Sequence, residues 1–473
     1  MYFIGRKEEI GALRRWDKKQ SMLTVIYGRR RIGKTRLIQE AFADASYYKF
    51  EGIEGQTSRN AIGSFQRQLA RQFDSQELLE LPVARSWDAL FLILSRKIGK
   101  KPAVVVIDEF QWFAGKGSNL TGYLKYAWDS YFSVNNRMHL IVCGSVSSFM
   151  VKKVLRSRAL YGRVHHELSL QPLKLQEIVN GLGTTRSIRE IVEMYMVTGG
   201  IPQYIQLFNW KKSVWLNIQD LCFTADGFLV GEVERIFTSH FGDGRHYKTI
   251  IIELARHKNA TREQLQTWCG IEGGGRISEY LEDLELSGFI EKFTSLERVG
   301  AVRYARYRLA DFYLLFYYSF IAPRLKKIAD KSQKTSYSTY MPDRLRLPWT
   351  GLAFERICIN HAGLIAGLLG FSGVEYRAGS WYSGKKGNNA AQIDLLFIRA
   401  DHVITLCEIK YHREKCGPSV IAEVEQKILA FPNPKKYSIE KVLITLSGAS
   451  EQLVSEGYFN AILTIEDIFG RSA

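Results

Sequence analysis

The chain runs to 473 residues, too long for one ordinary hydrophobic core, so two to four domains are expected. Its 46% hydrophobic and 24% charged residues exclude a disordered chain. An excess of 65 Lys and Arg over 48 Asp and Glu gives a formal charge of +17, which favours a polyanionic partner, nucleic acid and in particular DNA.

The first segment, MYFIGRKEEI, has no signal-peptide core, and no apolar run reaches the length of a membrane span. The six cysteines (143, 222, 269, 358, 407, 416) show no CxxC pair and no metal-ligand spacing. Reduced thiols, a cytoplasmic location and no membrane partner are expected. From 23 to about 173, short β-branched runs alternate with amphipathic segments. LTVIYG, SYYKFEG, AVVVIDEF, MHLIVCGS and VHHELSL read as strands, with helices starting near Gly33, Thr57, Ser86, Asn119 and Val146. Such alternation predicts a parallel sheet covered on both faces.

The turn after the first strand, GRRRIGKT at 28–35, satisfies GxxxxGK[ST] between a strand and a helix. Gly28 and Gly33 let the backbone curl so that the N–H groups of Arg29, Arg30, Arg31, Ile32 and Arg36 surround a phosphate. The following helix directs its positive end at the same anion. Lys34 would bridge the β- and γ-phosphates, and the Thr35 hydroxyl would hold Mg²⁺. The strand VVVIDEF delivers Asp108 and Glu109 to its carboxyl end, where ligands of α/β sheets bind. Asp108 is expected to hold Mg²⁺, directly or through a water, and Glu109 to orient or deprotonate the attacking water. With no NKxD guanine reader, ATP is the expected nucleotide and hydrolysis the expected reaction. Ser145, at the tip of MHLIVCGS, is placed to touch the γ-phosphate. Arg163, in LYGR, is either a charge-stabilising arginine, in cis or in trans, or a surface residue beside Lys152, Lys153, Arg156 and Arg158.

Helical patterning dominates from 174 to about 290. Within 245–320, YKTIIIELARH, TREQLQTWCG and GGRISEYLEDLELSGF read as three helices, the last with Ile277, Leu281 and Leu284 on one face. FIEKFTS and VRYARYRLAD follow as a hairpin, a pattern similar to a winged helix-turn-helix, with Arg276, Arg303 and Arg306 as phosphate-contacting candidates. The apolar run 312–321 reads as a buried helix, and the Lys-, Ser- and Pro-containing stretch 324–348 as a basic linker.

After the linker come a helix, GLAFERICINHAGLIAGLL, the strands QIDLLFIR and VITLCEIKY, a helix around EVEQKILAF and the strand KVLITLS. Alternation places Ile404, Leu406, Glu408 and Lys410 on one face, so an apolar face turns ionic at its end. If the two strands pair as a hairpin, Asp394 comes opposite that end. Two carboxylates and a lysine are the groups that metal-assisted phosphodiester hydrolysis needs. Asp394 and Glu408 would hold Mg²⁺ or Mn²⁺, and Lys410 would position the nucleophile or offset developing charge. Glu355 is a further acidic candidate, and Gln426 or Lys427 a further contact.

FIGRKEEI, GRRRIGKT, VVVIDEF, the LYGR stretch and TGGIPQYI together resemble the archaeal-type ATPases of the STAND branch of AAA+-related P-loop proteins. That resemblance implies that Phe3, Ile4 and Arg6 lie near the adenine and that the Gly200-Ile201-Pro202 turn, through Pro202, relays nucleotide state. It also implies a winged helix followed by a domain similar to PD-(D/E)xK nucleases. Gln392-Ile393 stands before Asp394 where that motif has Pro. The expected fold is α/β multidomain. A P-loop (RecA/AAA+-like) parallel-sheet domain takes residues 1–173, a helical lid 174–244 and a winged helix 245–323. The linker takes 324–348, and a small α/β restriction-endonuclease-like domain takes 349–473. The expected function is an Mg²⁺-dependent ATPase coupling nucleotide state to DNA binding and metal-dependent DNA cleavage. The alternatives are an ATP-gated DNA-binding scaffold with an inactive nuclease-like domain, or a protein-binding sensor. A homo-oligomer or a protein partner is compatible with each.

Overall fold

The computed structural model describes residues 3–114, 118–183, 185–242, 244–294, 296, 305–330, 336–383 and 391–470. Arg303 lies outside them. The chain forms two compact units: residues 1–173 with 201–203 and 279–288, and the remainder.

In the first unit, five strands form a parallel sheet: β1 (Met22–Tyr27), β2 (Tyr47–Glu51), β3 (Pro102–Asp108), β4 (Arg137–Gly144) and β5 (His166–Ser169), in the order β2-β3-β4-β1-β5. The expected strands are all present, with the expected parallel sense. After its first residue β3 is buried at every position, which requires cover on both faces. One side is filled by helices Ser58–Gln72, Trp87–Ile98 and Leu120–Ala127, whose Phe65, Trp87 and Phe91 pack on each other and on Phe50 of β2. Helix Lys7–Arg14 packs on helix Lys34–Ala41. All five strands run the same way, so their carboxyl ends share one edge, and the chemistry-bearing residues collect there.

The second unit begins with helices such as Leu175–Gly181, Ile188–Thr198, Val214–Cys222 and Glu232–Phe241. Helices Arg245–His257 and Arg262–Trp268 follow, with β6 (Ala260–Thr261) between them. The hairpin of β7 (Ile290–Thr294) and β8 (Ala305–Leu309) joins β6 in an antiparallel sheet of order β6-β8-β7, in the register Ile290↔Leu309. The run 312–321 is buried and helical as expected, its first turns being Phe312–Phe316.

The linker expectation fails over residues 343–348, which open the single helix Asp343–Asn360. Pro348 lies inside that helix, and the flanking Trp349, Thr350, Ala353, Phe354 and Ile357 are buried. Burial of those side chains outweighs the lost backbone donor, which sequence reasoning had taken as a boundary.

A five-stranded mixed sheet completes the unit: β9 (Tyr376–Tyr382), β10 (Gln392–Arg399), β11 (Val403–Lys410), β12 (Ser438–Thr445) and β13 (Ala461–Thr464), in the order β13-β12-β11-β10-β9. β10 and β11 form the expected antiparallel hairpin, with Leu395 opposite Cys407. β11 and β12 run parallel, joined through helix Ser419–Ala430. Among the described residues, no helix is long and apolar enough to cross a membrane.

Candidate functional site

The phosphate loop occupies the turn from β1 to helix Lys34–Ala41. A Cβ at Gly28 would stand 2.5 Å from the Leu170 carbonyl oxygen, so any side chain there would push the loop off the sheet. Gly33, the residue before the helix, has φ 89°, a conformation that side-chain-bearing residues rarely adopt. Its missing Cβ faces Pro202, whose Cγ would be 3.8 Å away. Pro202 is thereby placed beside the loop, as is buried Arg6, which bonds Glu9 at 2.9 Å and the carbonyl of Gln171. Phe3 and Ile4 are half-buried. Within the loop Arg29 and Ile32 are buried, whereas Arg30 and Arg36 are exposed, Arg36 lying 3.8 Å from Glu40. Lys34 is buried, and its ammonium donates to the Gly28 and Arg29 carbonyls at 2.8 and 3.0 Å.

Thr35 donates its hydroxyl to Asp108 Oδ2 at 2.8 Å. Asp108 is 3% exposed, and its other oxygen accepts the backbone N–H of Glu109. Two hard oxygen donors from different elements thus meet beside the phosphate loop, which is the donor chemistry Mg²⁺ prefers. Glu109 itself sits in the left-handed region at φ 49°, which turns the chain out of the strand. Ser145, at the end of β4, donates to Glu109 Oε2 at 2.6 Å.

Two residues of this constellation escaped sequence reasoning. Gln111 donates its amide to the Glu109 carboxylate and, at 3.2 Å, to Ser145, so the carboxylate is held by two donors. Its position two residues beyond Glu109, in the helical turn Phe110–Phe113, was the available signal. Lys49 of β2 reaches Asp108 Oδ2 at 3.2 Å and Glu51 Oε2 at 2.8 Å. Burial alone would lower its pKa, but the hydrogen bond to Glu51 and the charge of Asp108 leave it raised. A lysine in a strand of a covered sheet was the signal there.

Arg163 is engaged elsewhere. Its guanidinium grips Asp129 through Nε and Nη2 at 2.7 and 2.9 Å and also donates to the Ala159 and Tyr161 carbonyls.

In the second unit, Asp394 lies one residue beyond the Leu395–Cys407 pair, so the hairpin register brings it beside Glu408. Both are buried, at 7% and 1% exposure. Lys427, from helix Ser419–Ala430, reaches Glu408 Oε2 at 2.5 Å and stands 3.9 Å from Asp394 Oδ2. Lys410 pairs with Glu408 at 3.0 Å and with Glu423 at 2.6 Å. Gln392, two residues before Asp394, donates to Asp394 Oδ1 at 3.1 Å.

Burial pushes the Asp394 carboxyl up to about 6, with Glu408 adding to the rise and Lys427 opposing it. Glu355, on helix Asp343–Asn360, is pushed up to about 7 by burial and by the charge of Asp394. Asp394, Glu408 and Lys410 therefore lie around one point, and Glu355 feels the charges of Asp394, Lys427 and Glu408. Lys427 proves the central cation, Gln426 does not enter these pairs, and Glu423 went unforeseen. Among the described residues, no three His, Cys, Asp or Glu side chains are grouped to hold a metal ion by themselves.

The parallel sheet with a strand–GRRRIGKT–helix turn defines a P-loop nucleotide-binding domain. Residues 3–208 match the family described as an ATPase domain predominantly from Archaea. An uncharacterized protein of Methanocaldococcus jannaschii is 28% identical over 363 residues, 75% of this chain and 76% of its own. A second protein of that organism, an uncharacterized ATP-binding protein, is 49% identical over 39 residues, 8% of this chain and 66% of its own. Among solved structures, the Walker-type ATPase of Pyrococcus abyssi aligns at 20% identity and a TM-score of 0.46, over 67% of this chain and 96% of that one. Residues 3–208 form an ATP-binding P-loop ATPase domain of the archaeal type.

Proposed function

We propose that the chain hydrolyses ATP with Mg²⁺ in its first unit and uses nucleotide state to control DNA engagement and metal-dependent phosphodiester cleavage by its second. The carrying observation for the first step is the convergence of Thr35 and Asp108 at 2.8 Å beside Lys34, with Glu109 held by Ser145 and Gln111. Thr35 and Asp108 would hold Mg²⁺, which when bound would offset phosphate charge. Lys34 binds the phosphates, and Glu109 orients the attacking water and takes its proton. Phe3, Ile4 and Arg6 then contact the adenine end, and Pro202 reports on the loop.

For the second step, support comes from Asp394, Glu408, Lys410 and Lys427 around one point. The carboxylates would hold Mg²⁺ or Mn²⁺, while Lys410 and Lys427 meet the negative charge that develops on phosphorus. Helices Arg245–His257 and Arg262–Trp268 with the β6-β8-β7 sheet support a winged-helix reading for 245–323, with exposed Arg276 toward phosphates. Arg306 is half-buried and donates to Asn259 at 2.7 Å, which leaves it a weaker contact. The strand order and the β11–helix–β12 crossover support a restriction-endonuclease-like reading for 349–473.

The test measures ATP turnover and cleavage of linear, nicked and branched DNA, with Mg²⁺ or Mn²⁺, in wild type, Lys34→Ala and Asp394→Ala. Turnover lost in Lys34→Ala and cleavage lost in Asp394→Ala are expected. A second reading, DNA binding without cleavage, is favoured by the ammonium of Lys427 between the carboxylates. Metal-independent binding with no cleavage by any protein would select it.

A further inference from the structure

The second unit contains a cavity of about 290 Å³ that none of the chemistry above uses. Five segments far apart in sequence build it: helix Ile188–Thr198, Trp215, the opening of helix Asp343–Asn360, residues 411–414 leaving β11, and Leu446 just after β12. Its volume lies at the small end of the range for ligand sites. Its lining includes the apolar Trp215, Leu347 and Leu446. It also carries the cations of Arg189, Arg346 and Arg413, with Glu193 and Glu414 among them.

These cations are not equivalent. Arg189 is committed to the buried carboxylate of Glu193 at 3.2 Å. Arg346 lies over the Trp215 ring, 5.2 Å from its centroid, and its exposed-side partner is Asp343 at 2.5 Å. Tyr337 is also stacked on Trp215, with ring centroids 5.6 Å apart. Among the described residues, buried Arg346 Nε has no hydrogen-bond partner, whereas the Tyr411 hydroxyl is engaged by Arg189. Buried donors are almost always paired, and one lacking a partner at the edge of a cavity points to a ligand that supplies it. Donors of this kind, an arginine fork beside a phenol, recognise phosphate oxygens.

We propose that this cavity binds a phosphate ester of mononucleotide size, its phosphate on Arg346, Arg413 and Tyr411 and its apolar, ring-bearing part against Trp215, Leu347 and Leu446. The ligand is a free nucleotide or the 5′-phosphorylated end of a nucleic-acid strand. The inference does not depend on cleavage by the acidic cluster.

Binding of deoxythymidine 5′-monophosphate, of a 5′-phosphorylated tetrathymidylate and of its unphosphorylated counterpart to the full chain is measured by calorimetry. The proteins are wild type, Lys34→Ala, Arg413→Gln and Arg346→Gln, each checked for an unchanged far-ultraviolet spectrum. Arg413 is exposed, so its substitution leaves the fold intact and keeps the test meaningful if Arg346→Gln does not fold. The expected result is monophosphate binding that persists in Lys34→Ala and weakens about tenfold or more in Arg413→Gln, the loss of one charge-assisted contact. Tetrathymidylate binding that requires the 5′-phosphate identifies a strand end as a natural occupant, and monophosphate binding alone identifies a free nucleotide. No saturable binding of either phosphorylated probe overturns the proposal. So does binding lost in Lys34→Ala but kept in Arg413→Gln, which assigns it to the phosphate loop. Binding insensitive to Arg413→Gln in every protein overturns it as well.

Discussion

His139→Gln should flatten the acid limb of the stability curve of the ATPase unit. His139 sits in β4 with no exposed surface, its Nε2 2.7 Å from the Thr24 hydroxyl and its ring against Trp16 and Phe42. Burial, reinforced by the nearby His166 and His165, lowers its pKa from 6.5 to about 3. The folded value is depressed, so the stability it contributes is complete above pH 6.5 and is lost as the pH falls toward 3. Over that window the unfolded chain binds a proton that the folded chain refuses, at a slope of about 1.4 kcal/mol per pH unit. Between pH 7 and pH 5 the loss amounts to about 2 kcal/mol. Glutamine keeps a hydrogen-bonding partner for Thr24 and cannot titrate. Urea unfolding at pH 7, 6 and 5, followed by tryptophan fluorescence and circular dichroism, gives the slopes. Carboxylates common to both proteins cancel in the difference, so wild type should lose about 2 kcal/mol more than the variant. Parallel pH dependences in the two proteins would refute the assignment of the acid sensitivity to His139.

Glu109→Gln should retain ATP binding while hydrolysis falls by about two to four orders of magnitude, measured by phosphate release against nucleotide affinity. Gln111→Ala should lower the hydrolysis rate about tenfold with ATP affinity unchanged, because the carboxylate loses one of its two holders; an unchanged rate would leave Gln111 without a positioning role. Asp394→Asn should raise stability at pH 8 by roughly 1–3 kcal/mol, read by urea unfolding, while ending cleavage. The sign follows from a folded pKa raised from 3.8 to about 6: the stability is present below pH 3.8 and lost as the pH rises through 6. DNA affinity should fall steeply with salt in a filter-binding series, and a flat profile would remove nucleic acid as the partner.

The phosphate loop was legible in the sequence because each of its constraints is local. A glycine at a positive φ, a lysine one residue on and a strand before them are written within one short continuous stretch. Asp108 and Asp394 were legible for a related reason, since strand alternation fixes where a residue emerges once the strand is known. Lys427 was harder to read. Its role depends on how helix Ser419–Ala430 returns across β11, and no period in its own segment marks it as the cation between Asp394 and Glu408. Gln111 and Lys49 depend in the same way on partners 34 and 59 residues distant, through Ser145 and Asp108. Pro348 misled because a helix boundary rule that holds in water gives way when the neighbouring turns are buried.

The placement of Lys427 also separates folding from metal supply. Buried carboxylates gathered for a divalent ion ordinarily repel one another until that ion arrives, and the fold then depends on it. Here the chain carries its own counter-ion on a long, movable stem. The second unit should therefore melt at the same temperature with or without chelator. A divalent ion entering between Asp394 and Glu408 would first have to displace the ammonium of Lys427.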